Sequence, residues 1–129
     1  MLVATRAPRN WQILLVDDDL LVCDSIRRML EFDGFRVKIS TSGAEAIALC
    51  GRETFDLVIL DYLMPVMKGD EVAAALKARW PGLPIIMVTA DAESIALQSE
   101  LPSGVDFLME KPFQLAALRE AVSRMLVKT

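Results

Sequence analysis

Two patterns of apolar residues alternate along the chain. The first is a short unbroken run: Ile13-Leu14-Leu15-Val16, Leu57-Val58-Ile59-Leu60, Ile85-Ile86-Met87-Val88, and the stretch 105–109. Continuous runs of four or five apolar residues are the mark of strands buried on both faces. Val37 and Ile39 show a weaker alternation and predict one more strand. The second pattern has helical spacing. Val22, Ile26, Met29 and Leu30 form one apolar stripe. Ala46, Leu49 and Cys50 form another, opened by Ser42 or Gly43; Val72, Ala75, Leu76 and Arg79 mark a third helix, closed by Pro81-Gly82. Leu115, Leu118, Val122, Met125 and Leu126 predict a last helix, and a weaker one covers residues 91–101, ended by Pro102 and Gly104. The predicted order is βαβαβαβαβα. Strict alternation with short connections implies the α/β class, a doubly wound parallel sheet with helices on both faces.

At 129 residues the chain is the size of one domain. Residues 1–10 are expected to be an N-terminal extension and residues 11–129 the domain. Those first ten residues hold no apolar stretch of signal-peptide length. The apolar runs fall far short of the ~20 residues a membrane span needs, so no membrane contact and a cytoplasmic location are expected. A net charge of -4 argues against direct nucleic-acid binding, which needs a basic face. The chain has no histidine, which removes Ser-His and Cys-His catalysis and His-ligated metal sites. Cys23 and Cys50 are too few for a zinc cluster or a disulfide framework and are expected to be buried on helices.

In an open parallel α/β sheet, ligands bind beyond the carboxyl ends of the strands. Asp17, Asp18 and Asp19 follow the first strand, Asp61 the third, Thr89 and Ala90 the fourth, and Lys111-Pro112 the fifth. These ends should converge on one crevice holding several carboxylates, a hydroxyl and an ammonium. Carboxylates so close raise one another's pKa or recruit a cation. An oxygen-only set on loops suits Mg²⁺, and a lysine facing a threonine hydroxyl can hold phosphoryl oxygens. A carboxylate beside both, Asp61, can act as a nucleophile and form an aspartyl phosphate. Taken singly, each residue also has a plain structural role. Asp19 and Asp91 read as helix caps, Asp17 or Asp18 as turn residues, Thr89 as a helix-start residue, and Lys111 as a solvated lysine.

With these positions in place, the chain resembles the receiver domain of bacterial two-component response regulators, the CheY-like or flavodoxin-like fold. The resemblance rests on ILLVDDD at 13–19, DLVILDYLMPVMKG at 56–69, IIMVTAD at 85–91 and EKPF at 110–113. It implies five strands in the order 2-1-3-4-5 flanked by five helices. It implies that Asp61 is the phospho-acceptor and that Mg²⁺ (or Mn²⁺) is organised by Asp18 directly, by Asp17 largely through water, by Asp61, and by the carbonyl of Leu63. Thr89 and Lys111 would contact the phosphoryl group, and the Lys111–Pro112 bond would be cis. Met64, Pro65 and Gly69 would shape the loop after Asp61. The donor would be a histidine kinase or phosphotransfer protein, since this chain has no histidine of its own. Thr89, Ala90, Phe107 and Leu108 would form the switch that changes the surface of the fourth helix, fifth strand and fifth helix for a downstream protein target. Such a domain catalyses its own phosphoryl transfer and dephosphorylation without being a conventional enzyme.

The sequence also departs from the family pattern. Three positions before Lys111, where many receivers carry an aromatic residue, stands Leu108, with Phe107 one place earlier. Strand alternation would send these two to opposite faces, so either the aromatic is absent or the strand is shifted. Leu63 and Asp91 occupy the positions that tune dephosphorylation in the family, and Lys68 stands where an acid is common. Residues 91–101 contain no Lys or Arg, and Arg119 and Asp106 alone would not build a salt-bridged dimer through that face; a monomer or weak dimer is expected. The competing reading is a degenerate receiver acting as a phosphorylation-independent binding module. A flavin site on this fold is disfavoured because three aspartates would repel its phosphate. An aspartyl phosphatase would want Asp-x-Asp, which Asp61-Tyr62-Leu63 does not supply.

Overall fold

The computed structural model describes residues 11–90, 102 and 104–127. The apolar runs become strands β1 (Gln12–Val16), β3 (Leu57–Asp61), β4 (Ile85–Thr89) and β5 (Phe107–Glu110), and the alternating segment becomes β2 (Arg36–Ser40). The helical stripes become α1 (Leu20–Phe32), α2 (Gly43–Arg52), α3 (Gly69–Arg79) and α4 (Leu115–Val127). All neighbouring strands pair in parallel, in the order β2-β1-β3-β4-β5. Four helices flank the sheet among the described residues. The fifth expected helix, residues 91–101, and the expected N-terminal extension, residues 1–10, lie outside them.

Side-chain parity divides the core into two layers. Leu14, Val16, Val58, Leu60, Ile85 and Met87 pack with Ala46, Leu49, Val72 and Leu76 of α2 and α3. Ile13, Leu15, Leu57, Ile59, Ile86 and Val88 pack with Cys23, Ile26, Leu30, Leu118 and Val122 of α1 and α4. Each fully buried aliphatic side chain contributes roughly 1.5–3 kcal/mol, so both layers favour this wrapping strongly. Strands β3 and β4 are buried at every position, which is why their sequences carry no polar alternation.

Helix starts follow from capping chemistry. Asp19 accepts from the N–H groups of Leu21 and Val22 at the start of α1. Ser42 accepts from Glu45 N–H at the start of α2. On α3 the buried stripe is Gly69, Val72, Ala73 and Leu76, so Ala73 takes the place expected of Ala75. Leu115, expected in the stripe of the last helix, is exposed at its first turn.

The last strand begins at Phe107, two residues later than the apolar run implied. The Asp106 carboxylate accepts from the N–H of Ile85 at 2.8 Å and pairs with Lys77 at 2.7 Å, so a side chain closes the start of this ladder. Gly104 makes the preceding turn at φ +87, where a Cβ would stand 2.8 Å from the carbonyl oxygen of Ala73. Only glycine meets both conditions without strain.

Candidate acidic site

The strands end on one edge, and the sequence carries its acids there. Asp17 leaves β1 with its N–H donated to the carbonyl of Ser40, 3.0 Å away, which extends the β1–β2 pairing by one residue. Asp61 is the last residue of β3, on the face of Leu57 and Ile59. Carboxylate oxygens of Asp17, Asp18 and Asp61 all lie within 4.8 Å of one another. Asp17 and Asp61 are buried and Asp18 is exposed, so the cluster opens to solvent on the Asp18 side.

Lys111 supplies the counter-charge. Its Nζ lies 3.2 Å from Asp61 Oδ1 and 3.5 Å from Asp17 Oδ2. Its backbone N–H donates to the carbonyl of Thr89 at 2.8 Å, anchoring the end of β5 to the end of β4. The Lys111–Pro112 peptide bond is cis. Thr89 is completely buried at the end of β4. Ala90 beside it is exposed. Asp91 lies outside the described residues.

The electrostatics follow from two acids and one ammonium withdrawn from water. Burial pushes the Asp61 carboxyl up to about 6; Asp17 and Asp18 push the same way, and Lys111 opposes them. Burial likewise raises Asp17, against the bond from Asp19 N–H and the charge of Lys111. Burial alone would lower Lys111, but Asp17 and Asp61 outweigh it and raise it, so the ammonium is held charged. An all-oxygen set of this charge suits a hard divalent cation, which would relieve the repulsion between the acids.

The loop after Asp61 is closely packed. Gly69 donates to the carbonyl of Tyr62 at 2.8 Å, and a Cβ on Gly69 would stand 2.6 Å from the carbonyl oxygen of Asp61. The backbone of α3 can therefore pass directly under Asp61 and Tyr62. Within the loop, Met67 N–H donates to Pro65 O at 2.8 Å around Val66, whose φ is +73. This i→i+2 bond makes a γ-turn that holds a fully exposed valine in a strained conformation. Met64 is buried, whereas Leu63 is exposed. Exposed Lys68 occupies the N-cap position of α3 without a side-chain cap bond, its N–H donating to the Glu71 carboxylate at 2.9 Å and its ammonium 5.9 Å from the Tyr62 ring centre.

The two residues ahead of Lys111 separate by face. Leu108 packs with the α2/α3 layer, and Phe107 with the α1/α4 layer. Four consecutive pairs join β4 to β5 in register, so the strand is not shifted and Leu108 itself holds the position.

Two supports of the site went unnoticed in the sequence. Ser40 holds Asp17 through its carbonyl, and Cys23 places its thiol 3.4 Å from the carbonyl oxygen of Asp17. The cysteine is completely buried, and burial, followed by Asp17, Asp19 and Asp18, pushes its thiol up to about 11. The character of a free cysteine announced that Cys23 is buried, whereas the helical stripe pointed to Val22 in its place, and nothing in the sequence announced its hydrogen bond.

The sequence matches the family model for the response regulator receiver domain over residues 13–123. The chain belongs to the response regulator receiver domain family. Members of this family act in phosphorylation-dependent two-component signalling. The response regulator MprA of Mycobacterium leprae is 36% identical over 118 residues, covering 92% of this chain and 52% of that protein. Its counterpart in Mycobacterium sp. (strain KMS) is 39% identical over 114 residues, covering 88% and 48%. The receiver domain thus spans about half the length of the curated relatives it matches. Among solved structures, a CheY-like receiver domain protein from Methanospirillum hungatei JF-1 superposes with a TM-score of 0.82 at 32% identity, covering 92% of this chain and 94% of that one. TrrA from Thermotoga maritima, solved in complex with Mg(2+)-BeF, gives 0.81 at 31% identity, covering 90% and 99%. Among the described residues of this receiver domain, no helix is long and apolar enough to cross a membrane.

Proposed function

We propose that Asp61 accepts a phosphoryl group from a histidine kinase or phosphotransfer protein, in a reaction that needs Mg²⁺ or Mn²⁺. The observation that carries this is the trio of carboxylates within 4.8 Å of one another with Lys111 Nζ 3.2 Å from Asp61. Two acids are buried and raised, one ammonium faces both, and all three acids offer oxygens to a cation. Asp17, Asp18 and Asp61, with the carbonyl of Leu63, would hold that cation; bound there, it offsets the negative charge of the phosphoryl oxygens and of the acids.

In this reading a carboxylate oxygen of Asp61 attacks phosphorus in line, and the bond from phosphorus to the donor's imidazole nitrogen breaks. Lys111 offsets the charge of the moving phosphoryl group, and the Thr89 hydroxyl bonds one of its oxygens. Water later hydrolyses the acyl phosphate, at a rate that the identities of Leu63 and Asp91 would tune. The added charge draws on Thr89 and Lys111, and through Ala90 and Leu108 biases the surface read by a downstream protein target.

The rim of the site favours a protein donor. Leu20, Leu21, Leu63, Val66 and Leu115 are exposed, and all lie on the segments that leave the carboxyl edge of the sheet. Asp61 itself is only 7% exposed, so a donor histidine must reach past them. We place the domain in the cytoplasm, as a monomer or weak dimer with no direct contact to nucleic acid or membrane.

Incubation with acetyl phosphate and Mg²⁺, followed by intact-mass measurement, tests the proposal. Wild-type protein should gain one phosphoryl group, and Asp61→Asn should not. Absence of an adduct, together with no binding of Mg²⁺ or beryllofluoride, would instead favour a phosphorylation-independent binding module.

A further inference from the structure

We propose that Cys23 is a positioning residue for the acids that hold the cation; this rests on the reading of Asp17, Asp18 and Asp61 as its ligands. The Cys23 thiol donates to the carbonyl oxygen of Asp17 at 3.4 Å. Both residues are buried, with Cys23 wholly enclosed and Asp17 at 4% exposure, so water does not replace this bond. Among the described residues the thiol is the hydrogen-bond partner of that carbonyl, since the pairing of Asp17 with β2 runs through its N–H and ends there.

The other atoms of Asp17 are each held by a different element. Its N–H is fixed by Ser40 at the end of β2. Its Oδ1 accepts from Asp19 N–H at 2.9 Å, and its Oδ2 lies 3.5 Å from Lys111 Nζ. The Cys23 bond adds the first turn of α1 to this frame and fixes the plane of the Asp17–Asp18 peptide. That plane sets the direction in which Asp18 leaves the chain. A peptide free to rotate would spread Asp18 over several orientations, few of which face Asp61. The ordering would then have to occur on metal binding and would weaken it.

Three substitutions separate the hydrogen bond from the packing. Cys23→Ser keeps a donor of similar size, Cys23→Ala removes the donor and leaves space, and Cys23→Val removes the donor while filling it. Binding of Mn²⁺ is followed by electron paramagnetic resonance of the free ion, with Asp18→Asn as reference. Hydrogen exchange of the Asp19 amide is followed in the metal-free protein.

Cys23→Ser should bind Mn²⁺ within about twofold of wild type, whereas the Ala and Val variants should bind it roughly threefold to tenfold more weakly, the span expected for one buried hydrogen bond. Asp19 exchange should accelerate in the Ala and Val variants and not in Cys23→Ser. Wild-type affinity in both Ala and Val variants, loss in Cys23→Ser equal to that in Cys23→Ala, or unchanged Asp19 exchange in the Ala and Val variants would each overturn the proposal. If wild type and Asp18→Asn bind Mn²⁺ equally, it is the metal-site reading that fails, and the exchange result still decides whether Cys23 orders the turn.

Discussion

Asp61 is a carboxylate held where its charge is disfavoured. Its pKa rises from 3.8 to about 6, first through burial and then through Asp17. A carboxyl whose folded pKa lies above its unfolded one stabilises the fold fully below the unfolded pKa. It loses that contribution as pH rises through the folded pKa. In the absence of metal, Asp61→Asn should therefore raise stability at pH 7.5, by about 1–3 kcal/mol with the opposing charge of Lys111 already included in that shift, and the gain should largely vanish near pH 4. Calorimetric melting at the two pH values in a chelator checks this; an equal gain at both would show that ionisation of Asp61 is not its source. Gly69 makes a second demand at this scale. Gly69→Ala would drive a Cβ to 2.6 Å from the carbonyl oxygen of Asp61 and 2.8 Å from Tyr62 Cα, both backbone atoms. The expected loss is about 2–3 kcal/mol, as for overpacking in a core, with weakened Mg²⁺ binding because the displaced atoms belong to Asp61 itself. Unfolding and isothermal titration measure the two effects separately.

Each element carries structural chemistry at one end and site chemistry at the other. Helix α1 starts on the cap provided by Asp19, one residue after the acid pair, and buries Cys23, Ile26, Met29 and Leu30 against the sheet. Asp19→Ala should cost about 1 kcal/mol of stability, the usual value of an N-cap. Because Asp19 is not in the carboxylate trio, acceptance of a phosphoryl group from acetyl phosphate should persist. Loss of the adduct in a variant that remains folded would show that the third acid contributes to the chemistry. Strand β5 shows the opposite polarity. Its start is closed by Asp106 and Lys77, and its far end leads into Lys111. The apolar run at 105–109 made the strand legible but not its first residue, because the Asp106 carboxylate rather than backbone meets the N–H of Ile85. Helix α3 was legible from Val72 and Leu76 of its stripe, but Ala73 is buried in place of Ala75, and Arg79 is exposed. Which of two alanines faces the core depends on the rotation of the helix about its axis, which is set by packing and not by spacing alone.

At the scale of the whole molecule, Arg119 and Asp106, the two charges weighed for a dimer contact, are both engaged within the chain. Arg119 pairs with Asp33 at 2.7 Å, linking α4 to the end of α1, and Asp106 pairs with Lys77. With these pairs satisfied internally, the beryllofluoride-bound protein should sediment as a monomer or weak dimer at micromolar concentration. A tight dimer through the face of α4 and β5 would overturn that expectation.

The alternation of apolar runs and helical stripes was enough to specify the parallel α/β sheet. Strands buried on both faces carry polar residues only at their ends, and the stripes leave each helix one way to pack. The convergence of Asp17, Asp18, Asp61 and Lys111 was also foreseeable, because a parallel sheet brings all its carboxyl ends to one edge. Tertiary structure alone decided which acid is buried and which faces water, how Lys111 divides itself between Asp17 and Asp61, and that a cysteine six residues along the chain closes on the carbonyl of Asp17. Those outcomes depend on strand parity, helix approach and side-chain direction. Such distances form only when several elements pack at once, and no single stretch of sequence contains them.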